Sequence, residues 1–427
     1  MPVTESVGGR LLGAFWCAAA SKFIPLPNNA SRTRTVDVIA SSACVAGTKL
    51  RSEGPVIALG LFGVFALAAI WGGYPLAVRA LGGLRRMRDG DEQGAWPTVS
   101  VILASSEDAS AIRARVFDLL ATTYPPERLE VIVALDSARG QATMHDLEGL
   151  APCVSVVAGD APGGKAASLN AAARQAHNEM LVFTDTAQRF HRDAIPQLVR
   201  QFQNPRFGAV SGMLDLPGAG DSRNLAEHYW RYERWLRQWE ARLHSSVGVT
   251  GAIYAMRRAL WQPLPPGLIL DDLFLPMRLV LDGWRVGFTE HAKAHDIRRF
   301  AAGQEYRRKV RTLTGVIQVC AWLPGTLNPV RNPIWLQFVF HKLLRLLTPY
   351  LAALLVVSGI WVVMSAVAAS PLGTPVLLGA GALLVLLCLV PPVRRTLRAQ
   401  IAWGLAMQSS IVVATVNGVR GRWDVWQ

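Results

Sequence analysis

The sequence predicts an α/β domain with a mainly parallel sheet, held between transmembrane helices at its N-terminal and C-terminal ends. Three observations carry this. Hydrophobic residues make up 51% of the 427, too apolar a chain for an ordinary soluble enzyme. Residues 55 to 78 and 346 to 393 carry no charge, and about 20 apolar residues suffice for a helix to cross a bilayer core. Between these stretches, short apolar runs alternate with helical patterns, the signature of a parallel sheet with crossover helices.

Taken in order, residues 1 to 54 form an extension expected to be poorly ordered. LLGAFWCAAA (11–20) has the length of a signal-peptide apolar region, but no cleavage site follows it. A first transmembrane helix occupies 55 to 80. Arg79, Arg85, Arg86 and Arg88 follow it, so the positive-inside rule puts the central domain in the cytoplasm. That domain runs from 97 to 320, a membrane-interface segment from 321 to 345, and two or three C-terminal transmembrane helices from 346 to 419. SPLGTP (370–375) breaks the uncharged run into two spans, and 399 to 419 is a weaker third.

Within the central domain, strands are expected at Val99–Ala104, Leu129–Leu135, Val154–Ala158 and Met180–Phe183, with helices at Ala109–Ala121 and Lys165–His177. Gly159, Gly164 and Lys165 have the spacing of a phosphate-cradling GxxxxGK loop. The next residue is Ala166, however, where magnesium would need a hydroxyl, so an ATPase is excluded. What survives is a glycine turn that brings Lys165 and a helix N-terminus towards an anion, with Asn170 one turn further on. Five scattered cysteines without a CxxC pair indicate neither a zinc site nor a disulfide framework. The net charge of +14 suits both anionic nucleotides and an anionic leaflet.

The order of VSVILASSED, TTYPPERLEVIVALDSA, GGKAASLNAAA, VFTDTAQRF, GVTGAIYAMRR, ILDDLFLPMRLVLDGWRV and EYRRKVRTLTG resembles the family 2 glycosyltransferases, in particular the membrane-embedded synthases related to cellulose, chitin and hyaluronan synthases. The resemblance covers residues 97 to about 345. It implies a GT-A fold, a nucleotide-sugar donor, transfer with inversion and a divalent cation, Mg2+ or Mn2+. It also assigns roles. Glu107 and Asp136 match the acids that meet the nucleoside, and Lys165 matches the lysine of the glycine turn. Asp185 matches the first acid of the metal-binding DxD motif, whose second acid is replaced by Ala187; Thr186 and Gln188 are the neighbours with an oxygen to lend.

Asp272 matches the acid of the family's ED pair and is the expected base, with Asp271 beside it on the acceptor side. Both acids also suit the start of a helix at Leu273. Gly251, in the segment resembling the acceptor loop, would let an acceptor approach the backbone. Arg308 and Arg311, with Arg307 and Lys309 in the same window, supply positive charge for the departing diphosphate. Only the arginine of the polymerases' QxxRW motif is kept, at Arg311. Tyr229, Tyr232, Trp235, Leu236 and Trp239 recur at helical spacing and read as packing rather than as a sugar platform.

The expected protein is therefore a multi-pass inner-membrane glycosyltransferase with a cytoplasmic catalytic domain and no nucleic-acid partner. It would act on a lipid-linked or growing polysaccharide acceptor, alongside polysaccharide export partners. One alternative is a single-addition enzyme with a lipid acceptor. Another is an inactive homologue serving as a scaffold in a secretion complex.

Overall fold

The structure, a computed structural model, describes residues 54–85, 95–215, 225–298 and 302–424. The expected N-terminal extension thus lies outside the described residues but for its last position. The chain divides into two units, Met1–Leu59 and Gly60–Gln427; of the first, only 54 to 59 are described, in helical conformation.

Eight strands form one sheet in the order β3-β2-β1-β4-β7-β6-β8-β5. They are β1 (Val99–Ser105), β2 (Leu129–Leu135), β3 (Val154–Ala158), β4 (Met180–Thr184), β5 (Gln188–Phe190), β6 (Phe207–Asp215), β7 (Ile253–Arg257) and β8 (Arg285–Asp296). Strands β3, β2, β1 and β4 pair in parallel, as the alternation of strands and helices predicts. Beyond β4 the sheet is mixed: β7 is antiparallel to β4 and β6, and β5 to β8. The expectation of a mainly parallel sheet therefore holds for the first half, and in the second half β6 and β8 also pair in parallel. Helices separate the later strands too, but β7 is inserted between β4 and β6 and runs against both, so both directions occur.

Both faces of the sheet are covered, which is why its central strands read as unbroken apolar runs. On one face Ile102, Leu181 and Phe183 pack with Leu169 of α3 (Lys165–Gln175) and Phe274 of α6 (Asp271–Leu281). On the other, Val101, Leu103 and Val182 meet Ile112 and Val116 of α2 (Ala109–Leu120) and Leu198 of α4 (Ala194–Arg200). Asp108 caps α2 by accepting a hydrogen bond from the Ala111 amide at 2.9 Å.

Among the described residues, three helices are long and apolar enough to cross a membrane: α1 (Gly54–Gly83), α8 (Trp335–Ala369) and α10 (Pro391–Val419). Between the last two, α9 (Gly373–Leu389) follows the break predicted at 370 to 375. Helix α8 starts before the uncharged run does because the polar groups near its beginning are paired inside the protein. His341 lies with Nδ1 2.8 Å from Glu240 and Nε2 3.0 Å from Glu233, both on α5 (Leu225–Leu243), and Arg345 pairs with Glu233. Tyr74 of α1 donates to Glu240. The aromatic stripe of α5 serves packing: Tyr232 meets Trp71 of α1, and Leu236 is buried with Tyr74 and Val78.

Helix α7 (Ala302–Trp322) joins the sheet to the long apolar helices that follow it. Val316 and Val319 lie in the core, while Ile317 abuts Gly418 of α10 so closely that a Cβ there would fall 2.6 Å from its Cγ2.

Candidate active site

The carboxyl ends of β1, β2 and β4 open into a cavity of about 960 Å³. Glu107, Asp136, Lys165, Asp185, Arg308 and Arg311, six of the residues singled out from sequence, line it together. Arg139, Arg298 and Gln304 line it too and were not foreseen.

Asp136 has a positioning duty that follows from its place. Its Oδ1 accepts hydrogen bonds from the amides of Ala138 (2.9 Å) and Gly164 (3.0 Å), pinning the glycine turn under the end of β2. Gly163 and Gly164 have φ of +94° and +89°, a region L side chains rarely adopt, and a Cβ on Gly163 would lie 2.5 Å from that of Ala138. The turn delivers Lys165, the first residue of α3, to the acids. Asn170 does not follow it into the cavity: its side chain both donates to and accepts from the backbone of Leu264.

Asp185 sits just past β4, one third exposed, with its Oδ1 3.0 Å from the Lys165 Nζ. A buried arginine braces the strand end. Arg115 donates to the Thr184 hydroxyl at 2.6 Å, pairs with Asp118 and stacks on Phe190, and burial lowers its pKa to about 10. Thr184 in turn donates to the Ala252 carbonyl. Neither neighbour of Ala187 replaces the missing acid. The Thr186 hydroxyl is buried against Ser105, and the Gln188 amide, also buried, donates to Asp296 at 2.9 Å. Among the described residues, no group of three or more His, Cys, Asp or Glu is placed to hold a metal ion.

Asp271 and Asp272 are the first two residues of α6, and the cap before them is Leu270, without a side-chain hydrogen bond. The two acids face different partners. Asp271 is buried, and its Oδ2 lies 3.5 Å from the Lys165 Nζ. Burial raises its pKa, against the pull of Lys165 and with the help of Asp272 and Asp185. For Lys165 itself burial works against the charged form, but Asp185, Asp271 and Asp272 outweigh it and raise its pKa. Asp272 adjoins Gly251, where a Cβ would lie 3.3 Å from the carboxylate Oδ2; the glycine leaves that space to the acid. The backbone carbonyl of Asp272 accepts from the Val249 amide at 2.8 Å, tying α6 to the loop before β7.

Gln304, Arg307, Arg308 and Arg311 share the cavity at spacings of three and four, one face of α7. Lys309 departs from that group: its ammonium stacks on Tyr229 of α5 at 4.5 Å. Burial is the main influence on Arg311 and lowers its pKa, with Arg308 adding to it and Asp272 opposing. Replacing Arg311 by Lys should cut turnover about tenfold or more while donor affinity changes less, because an ammonium cannot reproduce the forked contact of a guanidinium on phosphate oxygens. Single-turnover rates beside nucleotide-binding isotherms check this, and wild-type rates in Arg311→Ala would reduce the residue to part of a basic surface.

The model of the glycosyltransferase like family 2 matches residues 97–315, which is half the chain. The chain belongs to that family. Its GT-A fold is shared by the mannosyltransferase PcManGT from Pyrobaculum calidifontis, solved with GDP-Man and Mn2+, at a TM-score of 0.63 and 20% identity over 85% of this chain and 99% of that one. Two curated relatives are beta-monoglucosyldiacylglycerol synthases. The one from Synechocystis sp. is 27% identical over 210 residues, 45% of this chain and 42% of its own length. The one from Trichormus variabilis is 26% identical over 213 residues, 45% and 43% respectively. This family 2 member thus spans less than half the length of the curated relatives it matches.

Proposed function

We propose that this protein transfers one sugar from a nucleotide-sugar donor to a lipid acceptor at the cytoplasmic face of the inner membrane, with inversion. The observation that carries the reading is the separation of the acids around Lys165: Asp185 on the donor cavity and Asp272 against Gly251 on the acceptor-side loop. The relatives that make a glucosyl lipid support single addition over polymer extension, as does retention of only the arginine of QxxRW.

The family implies a divalent cation. The oxygen donors fit one that is shared with the donor's phosphates, since Asp185 is the carboxylate at the end of β4 that faces the cavity and magnesium commonly rests on one or two carboxylates plus phosphates and waters. Asp185 would hold it, and its chemistry there would be to neutralise the diphosphate. Glu107 and Asp136 accept hydrogen bonds from the nucleoside. Arg307, Arg308 and Arg311 meet the negative charge that grows on the diphosphate as the glycosidic bond breaks. Asp272 takes the proton of the acceptor hydroxyl as the new bond forms.

The test is to incubate membranes containing the protein with a panel of labelled nucleotide sugars and size the products. A lipid carrying one added sugar is expected. A long polymer would restore the synthase reading, and no product from any donor would leave a scaffold.

A further inference from the structure

We infer that Lys165 is an exchangeable counter-cation: its ammonium occupies Asp185 while the donor site is empty and yields it, moving towards Asp271, when nucleotide and divalent cation enter together. This rests on the donor-site reading above.

The geometry is specific. Lys165 Nζ lies between carboxylates from two different elements, 3.0 Å from Asp185 Oδ1 at the end of β4 and 3.5 Å from Asp271 Oδ2 at the start of α6. The shorter contact is to the more exposed acid, 34% against 10% for Asp271, so the ammonium covers the carboxylate that an incoming cation would reach first. A singly charged ammonium and a doubly charged metal compete for one carboxylate, because their mutual repulsion at a few ångströms is costly even in a partly solvated site. With Ala187 in place of a second acid, Asp185 has no carboxylate two residues on to offset both charges.

Lys165 has somewhere to go. Asp271 Oδ2 is buried without a hydrogen-bond partner, and a buried carboxylate oxygen in that condition gains from a closer cation. The donor's diphosphate supplies the negative charge that makes the exchange favourable, so nucleotide and metal bind together or weakly. The same movement brings positive charge nearer the Asp271–Asp272 pair as the donor site fills, linking donor loading to the acids beside the acceptor.

The experiment reads binding and not turnover. Free Mn2+ is followed by its electron paramagnetic resonance signal as it is titrated into the full chain in detergent, alone and with UDP or GDP. Wild type should bind Mn2+ weakly alone and at least about tenfold more tightly with the matching nucleotide. Lys165→Met should bind Mn2+ alone about tenfold more tightly than wild type and gain less from nucleotide, whereas Lys165→Arg should resemble wild type. Asp185→Asn should lose the site in every background. Equal affinity of wild type and Lys165→Met without nucleotide would overturn the inference. If Lys165→Met does not fold, Asp271→Asn takes its place: with no second acid to receive the ammonium, its Mn2+ affinity with nucleotide should fall several-fold, and an unchanged value counts against the exchange. A gain in Lys165→Met with no effect of either nucleotide on any form would sink the donor-site reading and the nucleotide-driven exchange together, leaving Lys165 only as a competitor of the metal for Asp185, whereas a nucleotide effect without that gain would sink the exchange alone.

Discussion

Asp272→Asn should lower turnover by roughly 10² to 10⁴, the range that loss of a general base produces, while nucleotide-sugar binding stays near normal. The amide has the shape of the carboxylate, so the Asp272 backbone carbonyl still accepts from Val249 and the side chain still fills the space beside Gly251. What it lacks is the capacity to take a proton. Donor affinity should be spared because the donor cavity is lined by other residues, Asp185 and Lys165 among them. Rapid-mix turnover and nucleotide-binding isotherms on the same preparation separate the two effects, and near-normal turnover would remove Asp272 from the chemistry.

His341→Ala should destabilise the protein by about 3 to 5 kcal/mol, the usual cost of stranding buried charge. Both ring nitrogens of His341 face carboxylates, Glu240 at 2.8 Å and Glu233 at 3.0 Å. These glutamates are 0% and 5% exposed, so water cannot take over from the imidazole. Arg345 remains for Glu233, but Glu240 is left with neutral donors, the Tyr74 hydroxyl and the Val247 amide at 3.5 Å. Thermal unfolding in detergent measures the loss. Adding Glu240→Gln should recover part of it by removing the stranded charge, and an unfolding temperature equal to wild type in the single variant would show that the cluster contributes nothing.

How much of this was legible in the sequence depended on the range of each interaction. The first four strands were readable because burial on both faces writes a continuous apolar run, as in LEVIVAL. The residues that line the cavity together were readable because strand ends fix where their side chains go. Lys165, Asp185 and Asp136 each lie just past a strand or a glycine turn. The three-residue strand β5 is too short to leave a pattern, and its place beside β8 depends on a pairing with residues 294 to 296, far along the chain. That distant pairing also commits Gln188 to Asp296.

The basic window shows an intermediate case. Spacings of three and four already group Gln304, Arg307, Arg308 and Arg311 on one face and leave Lys309 off it, so helical geometry alone could have divided a window taken as one cluster. The exchangeable pairing of Lys165 with Asp271 could not be read that way. It joins the starts of two helices more than a hundred residues apart in sequence.

Helix α7 gives the fold a lever. One unbroken helix carries Arg308 beside the donor cavity and Ile317 against Gly418 of α10. These two residues lie about 14 Å apart along the axis, at 1.5 Å per residue. A tilt of about 5° about the Ile317 contact therefore moves the arginines by about 1 Å, a displacement large enough to cost a hundredfold in a positioned reaction. On the membrane reading proposed above, α10 sits in the bilayer and hydrocarbon thickness would bear on that angle. On the function proposed above, lipid composition would then act on this protein twice, as a supply of acceptor and as the mechanical setting of the donor cavity.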